Sequence, residues 1–283
     1  NLTMVKFSSS RNKKSMKKRN LLIAILIVAM LAFSVAGTYI FMYFSSGKNP
    51  TEYKKTNATS QSNKSNNNSA INNNSDSMND NEDDSIINPY DWDKIAKTNK
   101  DIYAYIYIPG TKIELPVAQS DDSKDDSFYL THNEKGNYEF SGCIYSEKIN
   151  STDFTDPVTV FYGHNMLNGT MFAHLHYFEK KDFFDKHEYF YVYTPSHKLT
   201  YRVYSAYVYD DTHILKAFDF SDIQVRMDYF KTTLNPSVSN ANVRKDVALT
   251  QDSKILTLST CTSGKSNTRY IVNGLFIKDD VTD

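Results

Sequence analysis

The first strongly patterned stretch of the chain runs from Leu21 to Phe44, LLIAILIVAMLAFSVAGTYIFMYF, without a charged residue. About 20 apolar residues at a rise of 1.5 Å each suffice to cross a hydrocarbon core, so the run predicts a membrane-spanning helix. A cleaved signal peptide is the alternative, with an apolar core of about 7–15 residues before a small-x-small site. Ser34-Val35-Ala36 is a faint site of that kind, but the apolar run continues past it, which favours an uncleaved anchor. From Ser45 to about Ser85 the pattern vanishes into Asn, Ser, Thr, Lys and Asp. Such a segment buries too little to offset its ordering entropy and reads as a disordered stalk.

From Ile86 onward the pattern is that of one folded domain. Asn88 reads as a helix N-cap with Pro89 in the first helical position. Trp92, Ile95 and Ala96 then form the apolar face of a short helix ending near Asn99. Residues 102–108 set Tyr103, Tyr105 and Tyr107 against Ile102, Ala104, Ile106 and Ile108, the period of a strand. Pro109-Gly110 turns the chain into a second strand at 113–117. Further strand-like runs cover 142–146, 157–162, 188–194, 198–208, 254–260 and 269–277. Ser221-Asp222-Ile223-Gln224 fits a capping box, with Ser221 as the cap and Gln224 reaching back. Ile223, Met227, Phe230 and Leu234 follow on one helical face until Asn235-Pro236 stops it. The fold class is therefore mainly β: an eight-stranded, closed or nearly closed antiparallel barrel, with an N-terminal helix and a helix between the sixth and seventh strands. The chain divides into a basic segment 1–20, an anchor 21–44, a stalk 45–85 and a folded domain 86–283.

Charge supports this division. The formal net charge of -1 conceals seven basic residues ahead of the apolar run (Lys6, Arg11, Lys13, Lys14, Lys17, Lys18 and Arg19) and no acidic one. Such a cluster stays cytoplasmic and places everything after the span outside. The folded domain carries 21 basic against 27 acidic side chains, so nucleic acid is not an expected partner. With two cysteines no disulfide framework is possible, and a domain of this size needs none. The chain opens on Asn1, so Met4 and Met16 are the candidate initiators.

Three residues stand where chemistry could occur. Cys261 ends an apolar strand and is followed by Thr262-Ser263-Gly264, so its thiol is held by a rigid element yet reachable. His164 ends the apolar run 158–162 in Gly163-His164-Asn165, placed to act as general base and acid. Arg269 begins the next strand after Cys261, and a hairpin would carry its guanidinium beside the thiol to hold an oxyanion or a substrate carbonyl. No Asp or Glu lies within seven residues of Cys261. Cys143 sits mid-strand and reads as a core residue, although a Cys143–Cys261 disulfide is conceivable in an oxidising exterior. His174 and His176 are two apart in a short helix and do not share a face, which argues against a metal pair. His132, His187, His197 and His213 read as ordinary loop residues. The acidic loop Asp121, Asp122, Asp125, Asp126 lacks EF-hand spacing and reads as solvated. No cofactor or metal is expected.

Together these residues resemble the sortase family. Thr257-Leu258-Ser259-Thr260-Cys261 with Arg269 is similar to its active-site signature, Tyr162-Gly163-His164-Asn165 to its histidine motif, and Ile108-Pro109-Gly110-Thr111 with Pro116-Val117 to its early hairpin. The likeness spans roughly residues 88–278, and the two helices resemble class B. It implies cysteine transpeptidation on the outer face of a Gram-positive membrane. A surface protein's C-terminal sorting signal would be cut after a Thr by Cys261, with His164 protonating the leaving amine and Arg269 steadying the oxyanion. That Thr would then be joined to an amine of a peptidoglycan precursor or cross-bridge. Ser259 and Thr260 are the implied substrate contacts. Where some members carry an acidic residue soon after the cysteine, this chain has Thr262 and Ser263. A pilin-joining enzyme using a Lys amine, a cysteine protease and a non-enzymatic tethered binding barrel remain as alternatives.

Overall fold

A computed structural model describes residues 2–47, 51–55, 86–264 and 267–283 of the chain. Two compact units make it up, Asn1–Ser46 and Gly47–Asp283. The first is a single helix, α1 (Leu2–Ser45). It runs unbroken through the basic segment because nothing there is Gly or Pro. Its stretch Lys17–Met42, 26 residues, is long and apolar enough to cross a membrane. At 1.5 Å per residue that stretch is roughly 39 Å long.

In the second unit α2 (Trp92–Thr98) precedes the strands β1 (Ile102–Tyr107), β2 (Glu114–Gln119), β3 (Ile144–Ser146) and β4 (Val158–Tyr162). A 3-10 helix (Phe172–Glu179) and α3 (Lys181–Lys186) lead to β5 (Tyr189–Tyr193) and the long β6 (His197–Asp210). α4 (Ile214–Ala217), α5 (Ile223–Leu234) and the two-residue β7 (Asn242–Val243) fill the excursion before β8 (Ile255–Cys261) and β9 (Thr268–Val281). The sheet runs β5-β1-β2-β3-β4-β8-β9-β6, and pairing of β5 with β6 closes it into an eight-stranded barrel. β6 has 14 residues, so its first half pairs with β5 and its second half takes β7. All eight strand segments read from the sequence are present, and α5 lies between the sixth and seventh of them. Ile106, Val117, Ile144, Leu256, Leu258, Ile271 and Val272 are all fully buried, and Val160 packs with Ile214, Leu215, Tyr229 and Phe230 of α4 and α5.

Four local expectations are corrected. The barrel is mixed rather than antiparallel: β2 runs parallel to β3, and β4 parallel to β8. Each parallel pair is served by the long crossover that such pairing requires. The cap of α2 is Asp91, whose side chain accepts from the Lys94 N–H at 3.0 Å. Asn88 is instead fully buried, its amide donating to the Thr194 carbonyl and to Thr282 Oγ1. Ala96 is exposed, leaving Ile95 as the buried residue of that helix. At α5 the cap is Asp222, accepting from the Gln224 and Val225 N–H groups, one residue beyond Ser221.

The stalk assignment also needs revision. Thr51–Tyr53 form a turn of 3-10 helix, Lys54 pairs with Tyr90, and the Lys55 N–H donates to the Pro89 carbonyl. Tyr53 is 2% exposed within a cluster that includes Tyr90, Ile95, Tyr105, Tyr129 and Cys143. Ion pairs Lys54–Glu114 and Glu52–Lys135, each 2.7 Å, flank it. Residues 51–55 thus pack on the folded unit. Residues 48–50 and 56–85 of the assigned stalk lie outside the described residues.

Candidate active site

Strand register assembles the site. In the parallel β4/β8 pair Tyr162 lies opposite Ser259. His164 and Cys261 each follow their strand partner by two residues, so the register brings both to the same level at the strand ends. β9 then returns antiparallel to β8 with Arg269 directly opposite Cys261. The hairpin expected from the sequence is there, and all three side chains line one cavity of about 300 Å³. A larger cavity of about 640 Å³ opens beside α4 and α5 and contains none of them.

Gly163 is the joint that sets the histidine. Its N–H donates to the Ser259 carbonyl at 3.1 Å, and its carbonyl accepts from Thr260 Oγ1 at 2.7 Å. A Cβ at this position would run into Ile144 and the Phe172 ring, so no larger residue fits the Tyr-Gly-His turn. His164 Nε2 stands 2.8 Å from the Leu130 carbonyl, and the ring stacks on Phe140 with centroids 5.7 Å apart. An acceptor at that distance requires the proton on Nε2 in the neutral ring, which leaves Nδ1 to gain and lose a proton. Burial holds the His164 pKa below the ordinary histidine value, with the Leu130 contact opposing it. The Leu130 carbonyl is itself fixed by close approach to Gly142, at φ +63°, where any Cβ would strike the Tyr129 and Leu130 carbonyls.

Cys261 is an exposed free thiol. Its backbone carbonyl accepts from Asn165 Nδ2 at 2.9 Å and lies 3.1 Å from His176 Nε2. Arg269 is half-buried, and its Nη1 donates to the Thr268 carbonyl at 3.1 Å. The Tyr145 phenol lines the same cavity, and its pKa is raised mainly by burial, with Glu147 and Asp126 adding to the effect. Ser259 and Thr260 line the cavity but are buried, and the Thr260 hydroxyl is already engaged by Gly163. On the far wall the nearly buried Glu147 accepts from His213 Nε2 at 2.9 Å. Among the described residues no cluster of three or more His, Cys, Asp or Glu could hold a metal ion.

The other residues singled out fall elsewhere. Cys143 is 4% exposed, a free thiol with Sγ 3.4 Å from the Pro116 carbonyl. His174 and His176 do diverge: His174 Nδ1 accepts from the Lys112 N–H, while His176 turns to Cys261. In the acidic loop Asp121 pairs with Lys124 at 3.1 Å and Asp126 accepts from the Lys148 N–H. Sequence reasoning missed Asn165, His176, Leu130 and the Glu147–His213 pair. Asn165 had a signal, being next to His164. His213 looked like an ordinary loop histidine, His176 was weighed only as half of a metal pair with His174, and a backbone carbonyl such as that of Leu130 has no signature.

Comparison with known proteins identifies the family. The sortase domain model matches residues 106–276. Sortase B of Listeria monocytogenes is 30% identical over 191 residues, covering 65% of this chain and 72% of that protein. The X-ray structure of Clostridium perfringens sortase B matches with a TM-score of 0.60 and 31% identity, over 66% of this chain and 100% of that one. A Streptococcus pyogenes class B sortase involved in pilus biogenesis matches with a TM-score of 0.56 and 26% identity, over 66% of this chain and 97% of that one. Barrel, cleft and likeness together place the chain in the sortase family of cysteine transpeptidases, as a sortase B-like member.

Proposed function

We propose that this transpeptidase cuts a C-terminal sorting signal after a Thr and transfers the Thr carbonyl to a peptidoglycan amine, with Cys261, His164 and Arg269 as the reacting groups. The observation that carries the assignment is the shared level of Cys261, His164 and Arg269 around one cavity. Neutral His164 takes the thiol proton, and the Cys261 sulfur adds to the Thr carbonyl carbon. Arg269 faces the oxyanion that forms, where a fixed cation is worth most. Collapse breaks the C–N bond, His164 returns the proton to the leaving amine, and a thioester remains. The acceptor amine then adds to that carbonyl, the C–S bond breaks, and the thiol is restored. Ser259 and Thr260 serve the cleft mainly by fixing Gly163, and hence His164.

The anchor reading completes the proposal: α1 crosses the membrane with its basic end cytoplasmic, and the barrel lies outside. A Lys side-chain amine as acceptor is the second reading, favoured by the likeness to the pilus-associated class B enzyme. The test is intact-mass spectrometry of the full chain in detergent, incubated with a pool of decapeptides randomised on either side of a central Thr. Oligoglycine, a diamino-acid amine or a Lys peptide is added in parallel, with Cys261→Ala as control. An acyl adduct on wild type alone, cleared into an amide by one of the amines, is the expected result and identifies the acceptor class. An adduct cleared only by water whatever amine is added would replace transfer with hydrolysis.

A further inference from the structure

The 3-10 helix Phe172–Glu179 has three residues per turn, so positions three apart eclipse one another. Phe172, Leu175 and Phe178 form the buried column. His176 and Glu179 therefore share another column, and their side chains meet, His176 Nδ1 to Glu179 Oε1 at 2.6 Å. The His176 ring stacks on Tyr270, the residue after Arg269, with centroids 4.9 Å apart. Its Nε2 stands 3.1 Å from both the Cys261 carbonyl and Asn165 Nδ2. With a proton on Nε2 the ring donates to that carbonyl. Without it, the ring accepts from one Asn165 hydrogen while the other goes to the carbonyl at 2.9 Å. In either form Cys261, Asn165 and His176 are one network, and Asn165 is covalently next to His164.

Resting on the transpeptidase reading above, we propose that His176, oriented by Glu179, is a positioning residue that locks the Cys261 peptide unit to the His164–Asn165 strand end. The network sets the spacing of nucleophile and base at the point where pairing of β4 with β8 has ended at Tyr162 and Ser259 and β8 is held by β9 alone. A displacement of about 1 Å at such a point costs on the order of 10²-fold in rate.

The test compares wild type with His176→Ala, His176→Gln and Glu179→Gln, all as full chain in detergent. Three quantities are read: acylation by the Thr-centred peptide pool, alkylation of Cys261 by iodoacetamide, and Tm. His176→Ala is expected to lower the acylation rate constant roughly 10–100-fold. Half-saturating peptide concentration, alkylation rate and Tm should stay near wild type, because a small unoriented reagent needs no alignment. His176→Gln, which returns an amide near the Nε2 position, should recover most of the loss, and Glu179→Gln should lose less than His176→Ala. Wild-type acylation in His176→Ala overturns the proposal. Loss of acylation accompanied by faster alkylation and a lower Tm, without recovery by Gln, overturns it in favour of a merely structural role. Failure of wild type to acylate at all would instead sink the transpeptidase assignment, since the present inference is read from the ratio of variant to wild type.

Discussion

Cys143 and Cys261 lie next to or at the end of strands in the same barrel, one buried and the other exposed. Cys143 stands just before β3 in the cluster with Tyr53, Tyr90, Tyr105 and Tyr129. Its thiol pKa is pushed well up by burial, with Glu134 adding to the effect. Cys261 ends β8 exposed, opposite Arg269, with His164 at the same level and polar chain beyond it. A thiolate forms where water, a cation or an imidazole can support it and not where tyrosines enclose it. On the proposed assignment, reactivity is decided by where a strand stops.

The largest effect that could break this contrast is loss of the thiol. Cys261→Ala should lower acyl-adduct formation by at least about 10⁴-fold, the scale of removing a nucleophile. Cys143→Ala should stay within about threefold of wild type, and both are read by intact mass. A Cys143→Ala variant that forms no adduct would reverse the assignment. The next effect is the charge opposite Cys261. Arg269→Met should cost about 10²–10³-fold in the acylation rate, as for removal of an oxyanion donor. Arg269→Lys should recover only part, because a point charge does not replace the planar fork.

On the Cys143 side the expected effect is on stability. Tyr53 belongs to the same cluster although it arrives from a segment whose composition resembles a spacer. Truncating a core aromatic costs about 3–5 kcal/mol, which for a domain of this size lowers Tm by roughly 10 °C. Tyr53→Ala should therefore lower Tm by that amount and open Cys143 to iodoacetamide, while Cys261 is alkylated as before. An unchanged Tm would mean that residues 51–55 only decorate the barrel.

The same contrast explains what the sequence made legible. The strands could be read because alternation such as that of 102–108 is local, and Cys261, His164 and Arg269 because each sits where such a run meets polar residues. Strand direction was not legible: alternation of period 2 does not encode whether a neighbour runs parallel, as β3 and β8 do. Asn88 looked like a cap because its neighbours are helical, whereas its partners Thr194 and Thr282 are some hundred and more residues away. Asn165, His176 and the Leu130 carbonyl entered the site through contacts 96, 85 and 34 residues apart in sequence. Tyr53 was hidden because one aromatic amid Asn, Ser and Lys leaves no periodic trace.

The smallest expected effect concerns protons. Burial raises the Cys143 thiol and lowers His164, opposite signs from one cause, because the charged form is an anion in one and a cation in the other. With its folded pKa depressed below the ordinary histidine value of about 6.5, His164 remains neutral, and able to accept the Cys261 proton, somewhat below that pH. The acid limb of the acylation rate should accordingly fall below pH 6.5. For stability the native state binds the proton less readily than the unfolded chain. The contribution of His164 is therefore fully present above the unfolded pKa and is lost as pH falls through the folded one. Calorimetric Tm at pH 7 and pH 5 for wild type and His164→Gln isolates this term, since the many carboxylates contribute to both proteins and cancel in the difference. Wild type should lose more Tm on acidification than His164→Gln. An equal loss, or an acid limb above pH 6.5, would mean that His164 is better solvated than the Leu130–Phe140 niche implies, and the contrast between a shielded base and an open thiol would have to be redrawn.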